Sequence, residues 1–463
     1  MSKKNQVSRR IFIMSSAAAA AMAGCATPGT GGMQSGRAKT LKRLGYISPN
    51  EKLNIAGIGV GGKGSSDIDQ TSVNDNVVAL ADPDWRRAGS TLDKYPNAQK
   101  FKDFRKMLET VPEIDACTVS TPDHTHAVAA MMAMSMGKHV YVQKPLTKTI
   151  YEARQLTEAA RQFGVMTQMG NQGRSGDGVR NSNEIIWDGA IGQIREVHCW
   201  TNRPIWPQGS ELTEALPAEE IPDFIDWDLW LGPAPYRDFN AGYAPFNWRG
   251  WWDFGTGALG DMACHIMDTA YSSLMLGYPT SVECVSKKGM NDQTFPDSSI
   301  IKFEFPARGN FAPVTVYWYD GGNKPPRPAD IPEDITLGDG GGANGTLFIG
   351  DEGYLTCATY GENPRLLPEE RFRDYEPPQP YVPRVPNHYR AWTYACKSGK
   401  PASSNFDYAG PFTEMVLLGN FSLLFDGKVE WDGENMRVTN IPEANDYVHY
   451  DYRDGWTLDY GVV

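Results

Sequence analysis

The sequence predicts an α/β protein with two domains: a doubly wound parallel sheet, followed by an α/β domain with a large, open, mostly antiparallel sheet. Between residues 51 and 170, short apolar runs rich in β-branched residues alternate with helical stretches, which is the pattern of parallel strands. Between residues 171 and 463, aromatic residues are dense and strand candidates alternate apolar with polar residues. That alternation is typical of antiparallel strands covered by helices on one face.

Five strand candidates make up the first domain: Leu53–Ile58, Val77–Ala81, Ala116–Ser120, His139–Val142 and Val165–Met169. Helices are predicted between them, for example over Ala127–Met136 and Ile150–Phe163. In the second domain the strand candidates are Glu196–Thr201, Ser281–Ser286, Ile300–Phe305 and Val314–Tyr319. The remaining patterns predict a Gly- and Pro-rich loop over 321–345, an extended surface segment over 363–386, and helices over 388–396 and 411–425.

The N-terminal segment carries the pattern of an export signal. Ser8–Ile13 resembles the consensus of bacterial twin-arginine signals, and the apolar run that follows is too short for a membrane-spanning helix. Met22–Cys25 then resembles a lipobox, in which Cys25 would carry the lipid. We therefore expect a signal peptide over residues 1–25, a flexible tether over 26–50, and a periplasmic, lipid-anchored protein. The alternative is an uncleaved leader with a chance pair of arginines.

The composition argues against two classes of partner and against a metal site. The chain has 44 basic and 56 acidic residues, a net charge of −12, and no long basic run, which disfavours nucleic acid and an acidic membrane surface. Contact with the membrane is therefore expected only through the N-terminal lipid. The cysteines beyond Cys25 lack the CxxC spacing of zinc sites, and the pair His124 and His126 has no evident third ligand, so no metal is predicted.

A glycine-rich turn after the first strand carries the first functional signal. Its three glycines are Gly57, Gly59 and Gly62. Glycines in a Gly-x-Gly-x-x-Gly turn let the backbone approach a pyrophosphate, and the helix that follows adds N–H groups and positive potential. Asp82 ends the next strand, where its carboxylate would bind the adenosine ribose and repel a 2′-phosphate. The turn therefore predicts NAD as the cofactor, although Arg86 and Arg87 keep NADP open.

Three further segments resemble motifs of one enzyme family. Residues 120–126 read Ser-Thr-Pro-Asp-His-Thr-His, residues 137–145 read Gly-Lys-His-Val-Tyr-Val-Gln-Lys-Pro, and residues 260–268 read Gly-Asp-Met-Ala-Cys-His-Ile-Met-Asp. Together with the glycine turn, and in this order, they resemble the glucose-fructose oxidoreductase/inositol dehydrogenase family, often called Gfo/Idh/MocA. The resemblance runs from about residue 52 to at least 425, and it implies a Rossmann domain that binds a dinucleotide.

The resemblance also implies roles for individual residues. Lys144 would be the family's catalytic lysine, and His265 the general acid/base that takes the proton of a substrate hydroxyl while hydride leaves the same carbon. Asp261, one helical turn before His265, would orient the ring or contact the substrate. At Gln143 the family more commonly has glutamate, so the usual carboxylate beside Lys144 is missing. The positions expected to contact the cofactor are Gly57, Gly59, Gly62, Asp82, Thr121, Pro122, His124, His126 and Gln143.

Seven of the thirteen tryptophans lie between residues 200 and 252. Sugar rings stack on aromatic side chains, so this cluster suits a carbohydrate substrate, although clustered tryptophan is also ordinary core or interface material. The residues expected to contact the substrate are Asn171, Arg249, Trp251 and Trp252, with Gln172 and Arg174 as further candidates.

These observations predict an exported, NAD-dependent oxidoreductase that acts on a hydroxyl of a sugar or glycoside. Because free NAD is scarce outside the cytoplasm, the cofactor would stay tightly bound and be recycled in place by a second sugar or an electron acceptor. An NAD-dependent glycoside hydrolase that works by oxidation, elimination, hydration and reduction is the first alternative. A non-catalytic sugar-binding lipoprotein is the second, and the retention of Lys144, Asp261 and His265 argues against it. By family analogy the open sheet would form a dimer or tetramer.

Overall fold

The N-terminal domain contains a parallel sheet, as predicted, but with six strands where the sequence predicted five. The computed structural model describes residues 51–462, so the predicted signal peptide, the tether and Cys25 lie outside the described residues. The six strands are β1 Asn54–Ile58, β2 Asn76–Ala81, β3 Gln99–Phe101, β4 Ala116–Val119, β5 His139–Val142 and β6 Thr167–Met169. They are ordered β3-β2-β1-β4-β5-β6, and every neighbouring pair is parallel.

Helices connect these strands: α1 Lys63–Thr71, α2 Trp85–Lys94, α3 Phe104–Thr110, α4 Asp123–Ser135 and α5 Ile150–Phe163. Helix α5 has the predicted bounds because its sequence marks both ends. Thr149 caps the first turn in a capping box with Glu152, and Gly164 ends the helix in the left-handed conformation. Helix α4 begins before the predicted Ala127, at Asp123, whose buried carboxyl group accepts a hydrogen bond from Thr256.

The sequence pattern missed strand β3. This strand has three residues, of which two are exposed, and it lies at the edge of the sheet. A short polar edge strand has neither the apolar run nor the alternation by which buried strands are recognised.

The second domain contains a nine-stranded, mostly antiparallel sheet. Its strands are β7 Ile194–Trp200, β8 Ser281–Lys288, β9 Ser298–Phe305, β10 Val314–Tyr319, β11 Gly345–Gly350, β12 Gly353–Cys357, β13 Arg365–Leu367, β14 Lys428–Asp432 and β15 Arg437–Val438. The order is β13-β12-β11-β7-β10-β9-β8-β14-β15, and neighbouring strands are antiparallel except for β7 with β10. The predicted fold class is therefore confirmed.

The helices of this second part are α6 Asp177–Trp187, α7 Trp227–Leu231, α8 Gly257–Ile266, α9 Asp268–Ser273, α10 His388–Ser398 and α11 Phe406–Ser422. Helices α8, α9 and α11 pack against the sheet, whereas α10 packs against helix α1. On β9, Ile301, Phe303 and Phe305 are buried in the main core, whereas the residues between them are partly exposed on the other face. Helix α11 begins before the predicted Pro411 because Asn405 caps it. None of the helices within residues 51–462 is long and apolar enough to cross a membrane.

Candidate active site

A cleft of about 570 Å³ lies at the carboxyl ends of the parallel strands. Towards the β3 edge it is bounded by the glycine turn, Asp82 and Phe104; towards β5 it is bounded by Lys144 and by helix α8. Ligands of doubly wound sheets bind at this edge. Eleven predicted site residues line the cleft: Gly59, Gly62, Asp82, Thr121, Pro122, Gln143, Lys144, Gln172, Arg249, Asp261 and His265. Seven predicted site residues do not line it: Gly57, His124, His126, Asn171, Arg174, Trp251 and Trp252.

The glycine turn begins two residues later than the sequence pattern predicted. Gly57 belongs to strand β1, where a Cβ would meet the side chains of Val60, Leu80 and Ile68. Gly59 follows the strand with its backbone in the left-handed region, at φ 71°. Gly64 lies in the first turn of α1 directly against the carbonyl group of Gly59, where any Cβ would overlap the oxygen. The fingerprint therefore runs from Gly59 through Gly61 to Gly64, and the last glycine lets the helix pack closely on the strand.

Asp82 supports this turn from the end of strand β2. One carboxylate oxygen accepts hydrogen bonds from the backbone N–H groups of Val60 (2.8 Å) and Gly61 (3.1 Å), and the other accepts one from Asp84 (2.9 Å). Burial raises the pKa of Asp82 to about 6, although these N–H groups act in the opposite direction. The carboxylate thus holds the turn in shape. It also lines the cleft, and its contact with a ribose stays a prediction.

The two histidines after strand β4 are structural. The ring nitrogens of His124 lie 3.1 Å and 3.0 Å from the carbonyl oxygens of Phe254 and Trp230, and His126 makes two contacts of the same kind, one to Pro145 (2.8 Å). Burial lowers the pKa of both rings to about 4. Their predicted contact with the cofactor is thus corrected, because their polar atoms bind neighbouring loops. Within residues 51–462, no group of three His, Cys, Asp or Glu is placed to hold a metal ion.

Gln143 belongs to a buried polar network below the turn. Its Nε2 donates a hydrogen bond to Asp67 Oδ2 at 2.8 Å. Asp67, fully buried on α1, also accepts a bond from Ser120 Oγ (2.8 Å) and pairs with Lys63. A glutamate at position 143 would set a second carboxylate against Asp67 in a buried site, which is costly. The network therefore explains why this chain has an amide at that position.

Lys144 and Asp261 form an ion pair that joins strand β5 to helix α8. Lys144 Nζ lies 2.7 Å from Asp261 Oδ1 and 2.6 Å from the carbonyl oxygen of the same residue. The two side chains are only 16 % and 13 % exposed. The ammonium group is therefore fixed in direction at the wall of the cleft, unlike that of an ordinary surface lysine.

Two arginines complete the surroundings of Asp261. Arg249 Nε lies 3.4 Å from one carboxylate oxygen, and Arg203 Nε lies 3.9 Å from the other. Burial alone would raise the pKa of Asp261, but the charges of Lys144 and Arg249 outweigh it and hold the pKa at about 2. Asp261 is thus ionised at neutral pH and faces three cations. Asp123, whose pKa burial raises to about 7, is a second carboxyl group near Lys144 and Arg249. Cations fixed at the wall of the cleft favour an oxygen atom that becomes negative.

His265 lies one helical turn beyond Asp261 and is 5 % exposed. Its Nδ1 has no hydrogen-bond partner among the described residues, and its ring is edge-on to Tyr360 at 4.7 Å between centroids. Burial, followed by the charge of Lys144, lowers the pKa of His265 well below 6.5. The ring is therefore neutral at neutral pH and able to accept a proton.

Three residues predicted to bind substrate lie elsewhere. Trp251 is fully buried in an aromatic cluster, with its ring edge-on to Tyr243 at 4.8 Å. Trp252 packs against Phe295, with ring centroids 3.7 Å apart, and faces a separate cavity. Asn171 is fully buried and accepts a hydrogen bond from a serine hydroxyl. The two tryptophans were predicted because they are close to Asp261 along the chain, and Asn171 because an amide can bind a hydroxyl group; neither property determines the direction of a side chain.

Other aromatic and apolar side chains line the cleft where Trp251 and Trp252 were predicted to lie. Ile205 and Phe246 line the cleft while remaining 59 % and 41 % exposed, and Trp206 and Trp248 lie beside them. The density of tryptophan indicated this region without indicating which rings face the cleft. Tyr360 carries no such signal, because it comes from the segment after strand β12 and meets His265 only in the folded protein.

Comparison with known proteins agrees with this architecture. Residues 53–171 match the Gfo/Idh/MocA family model described as an NAD-binding Rossmann fold, and residues 192–293 match the family's C-terminal alpha/beta domain. Levoglucosan dehydrogenase of Pseudarthrobacter phenanthrenivorans is 27 % identical over 195 residues, which are 42 % of this chain and 41 % of the relative. Inositol 2-dehydrogenase of Salmonella typhimurium is 30 % identical over 150 residues, 32 % of this chain and 44 % of the relative. The chain spans less than half the length of each of these relatives.

A solved structure resembles most of the chain. The WlbA dehydrogenase from Bordetella pertussis, in complex with NADH and UDP-GlcNAcA, matches 82 % of this chain and 99 % of its own with a TM-score of 0.57 and 15 % identity. At that identity the likeness concerns the fold alone. The two family matches, in the order of the two sheets, identify the chain as a member of the Gfo/Idh/MocA family of NAD-binding oxidoreductases.

Proposed function

We propose that this protein oxidises a hydroxyl group of a sugar or glycoside and that NAD accepts the hydride. The observation that carries the proposal is the meeting of Lys144 and His265 in the cleft that begins at the glycine turn. A fixed cation beside a neutral imidazole suits the removal of a proton from a hydroxyl whose oxygen gains negative charge. Relatives named levoglucosan dehydrogenase and inositol 2-dehydrogenase support a hydroxylated ring as the substrate.

The residues present fit the cofactor. The glycine turn lines the cleft, and helix α1 begins beside it at Lys63, so its N-terminal N–H groups and positive potential can hold a pyrophosphate. The side chain of Arg87 lies against Gly61 and Gly62 and also lines the cleft, where its charge favours a phosphate group. Asp82 would meet the ribose and disfavour a 2′-phosphate. When bound, NAD supplies the hydride acceptor at its nicotinamide ring.

The protein's own groups handle the proton and the charge. Lys144, held by Asp261, donates a hydrogen bond to the reacting oxygen and stabilises the negative charge that forms there. His265 accepts the hydroxyl proton, because its lowered pKa leaves the ring neutral beforehand. Asp261 then stabilises the protonated ring, since its charge acts to raise the pKa of His265. In the reverse direction the same ring returns the proton.

The test is a panel of sugars and glycosides assayed for NADH and for keto products. Lys144→Ala and His265→Ala should retain NAD and lose turnover by about 10²–10⁴-fold. Lys106→Ala is the matched control, because Lys106 is an exposed lysine outside the cleft that pairs with Glu109. Wild-type turnover in either active-site variant would contradict the proposal. Release of free sugar without net NADH would indicate redox-neutral hydrolysis instead.

We also propose that the protein is exported with its cofactor already bound. The support lies in the sequence, where a twin-arginine pair, an apolar run and a lipobox stand in order before residue 26. Proteins exported by that route cross the membrane folded, so NAD would be loaded in the cytoplasm and recycled by a second sugar or an electron acceptor. Replacing Arg9 and Arg10 by lysine should retain the protein in the cytoplasm, and Cys25→Ser should release it from the membrane. If the exported protein carries no NAD or NADH after purification, the proposal of a resident cofactor is contradicted.

The open face of the nine-stranded sheet is the surface that we propose for a homo-oligomer. On this face Tyr317 is partly exposed, and its ring stacks on the buried His198 with ring centroids 5.3 Å apart. Aromatic residues are enriched in protein interfaces, so Tyr317 is the ring that we expect a second copy to contact. Light scattering should report a dimer or tetramer, and Tyr317→Glu should shift it towards the monomer. A monomeric wild-type protein at micromolar concentration would disprove the assembly.

A further inference from the structure

Residues 452–460 form a segment without helix or strand, here called the C-terminal strap, that lies against the N-terminal domain. Tyr452 Oη donates a hydrogen bond to Glu152 Oε1 on helix α5 at 2.5 Å. Leu458 is buried in the main core. Because both of its ends are held, the strap has a defined course over the domain.

Arg453 fastens the strap to helix α7. Its guanidinium donates hydrogen bonds to the carboxylate of Asp228 (2.7 Å), to the carbonyl of Asp228 (2.8 Å) and to the carbonyl of Gly232 (3.0 Å). The same helix contributes Leu229 and Trp230 to the wall of the cleft. The strap is therefore attached to an element that bounds the proposed cofactor site.

Trp456, at the middle of the strap, reaches the cleft itself. Its half-buried ring lines the cleft beside Phe104, with ring centroids 5.9 Å apart. The guanidinium of Arg105 lies 4.2 Å from the indole centroid and is held in place by Asp103 (2.9 Å) and by the carbonyl of Gly455 (3.4 Å). The indole ring of Trp456, with the guanidinium of Arg105 over it and the ring of Phe104 beside it, forms an aromatic and cationic surface. A flat nucleobase can stack on a surface of this kind.

We infer that Trp456 forms the wall against which the adenine ring of NAD stacks, and that the strap retains the cofactor. In a doubly wound sheet the pyrophosphate lies at the glycine turn and the ribose at the end of β2, here Asp82. The base then lies further towards β3, and Phe104 and Trp456 are the aromatic rings that line the cleft there. The inference rests on the proposed function, since it takes NAD as the cofactor. It adds a physical reason for tight binding, because the strap closes this part of the cleft.

The test compares two fluorescent ligands, NADH and reduced nicotinamide mononucleotide, which lacks the adenosine. Both are bound to the full-length protein, and their release is followed after dilution. Trp456→Ala should accelerate the release of NADH by about 10- to 100-fold, because a base–aromatic stack is lost, and should leave the mononucleotide unchanged. Arg453→Ala should accelerate NADH release in the same way by freeing the strap. Trp456→Phe, which keeps a stacking face, should stay within a few-fold of wild type.

Asp454→Ala is the matched control, because Asp454 lies in the same strap, is exposed and does not line the cleft. It should release NADH at the wild-type rate. Equal NADH release from Trp456→Ala and wild type would overturn the inference while leaving the proposed function intact. Equal acceleration for both ligands would overturn it as well, since the adenine contact would not be the cause. A wild-type protein that binds neither ligand would refute the proposed cofactor and the inference together.

Discussion

Replacing Gly64 by alanine tests the cofactor half of the site. A Cβ on Gly64 would overlap the carbonyl oxygen of Gly59 by more than an ångström, since real Cβ contacts stay beyond 3.0 Å. Both atoms belong to backbone, so the start of helix α1 must move away from strand β1. Overpacking of this kind typically costs about 1–3 kcal/mol of unfolding free energy, and an overlap of backbone on backbone belongs at the upper end of that range.

The same displacement carries the N-terminus of helix α1 away from the cleft. Because about 1.4 kcal/mol corresponds to a tenfold change in affinity, we expect Gly64→Ala to bind NADH at least about tenfold more weakly. Gly89→Ala is the matched control. Gly89 is also a helical glycine, but a Cβ there meets nothing within 4 Å. Alanine at that position should stabilise the protein by about 0.5–1 kcal/mol and leave NADH binding unchanged.

Gly57→Ala distinguishes a fingerprint of Gly57, Gly59 and Gly62 from one of Gly59, Gly61 and Gly64. Its Cβ would meet Val60 Cγ1 at 2.6 Å, and a side-chain methyl group can turn away where a backbone carbonyl cannot. We therefore expect a smaller loss of stability and nearly normal NADH binding. Fluorescence titration and thermal unfolding of the three variants provide the measurement. If Gly64→Ala binds NADH like Gly89→Ala while Gly57→Ala loses it, the fingerprint runs from Gly57 to Gly62 and not from Gly59 to Gly64.

Acidification should separate the two directions of the reaction. Burial and the charge of Lys144 lower the pKa of His265. The kcat/KM for oxidation should therefore stay constant from slightly alkaline pH down to 6.5 and fall only in more acid solution. The rate of reduction, which needs the protonated ring, should instead increase as the pH falls. An acid limb at or above pH 6.5 that depends on His265 would contradict this. Gln143→Glu should lower the unfolding free energy by about 2–3 kcal/mol, because it sets two buried carboxylates against each other, and adding Asp67→Asn should restore most of the loss in a thermal melt. If Gln143→Glu alone is as stable as wild type, repulsion from Asp67 does not explain the amide at this position. Phe246→Ala should raise KM for the sugar several-fold with NADH binding unchanged, since this exposed ring lines the cleft; an unaltered KM would remove it from the substrate site.

Local signals account for how much of the fold could be predicted. Helix α5 was predicted to the residue because a capping box and a left-handed glycine mark its ends. The buried parallel strands were recognised from their apolar runs, which are dictated by burial on both faces. Strand β3 was missed because a short polar edge strand carries no such run. The alternation of apolar and polar residues in β9 likewise predicted a sheet with one face covered by helices.

The candidate site was predictable where motifs carry it and not where packing decides it. Lys144, Asp261 and His265 stand in motifs, and all three line the cleft. Trp251 and Trp252 were chosen for their closeness to Asp261 along the chain, but both side chains point into other packing. A tryptophan is equally suited to a core and to a sugar site, so its residue type alone does not distinguish the two.

By itself, the sequence determined the order of the two sheets, the strand–turn–helix that begins the cofactor site, and the motifs that bring Lys144, Asp261 and His265 to the cleft. These depend on residue type and on spacing within short segments. Only the tertiary structure decided which glycine of the turn must lack a side chain, why an amide stands at Gln143, and that Trp456 reaches the cleft. Each of these depends on contacts between distant parts of the chain, such as the 76 residues that separate Asp67 from Gln143. Local patterns contain no record of such contacts, because they form only when the helices and strands pack.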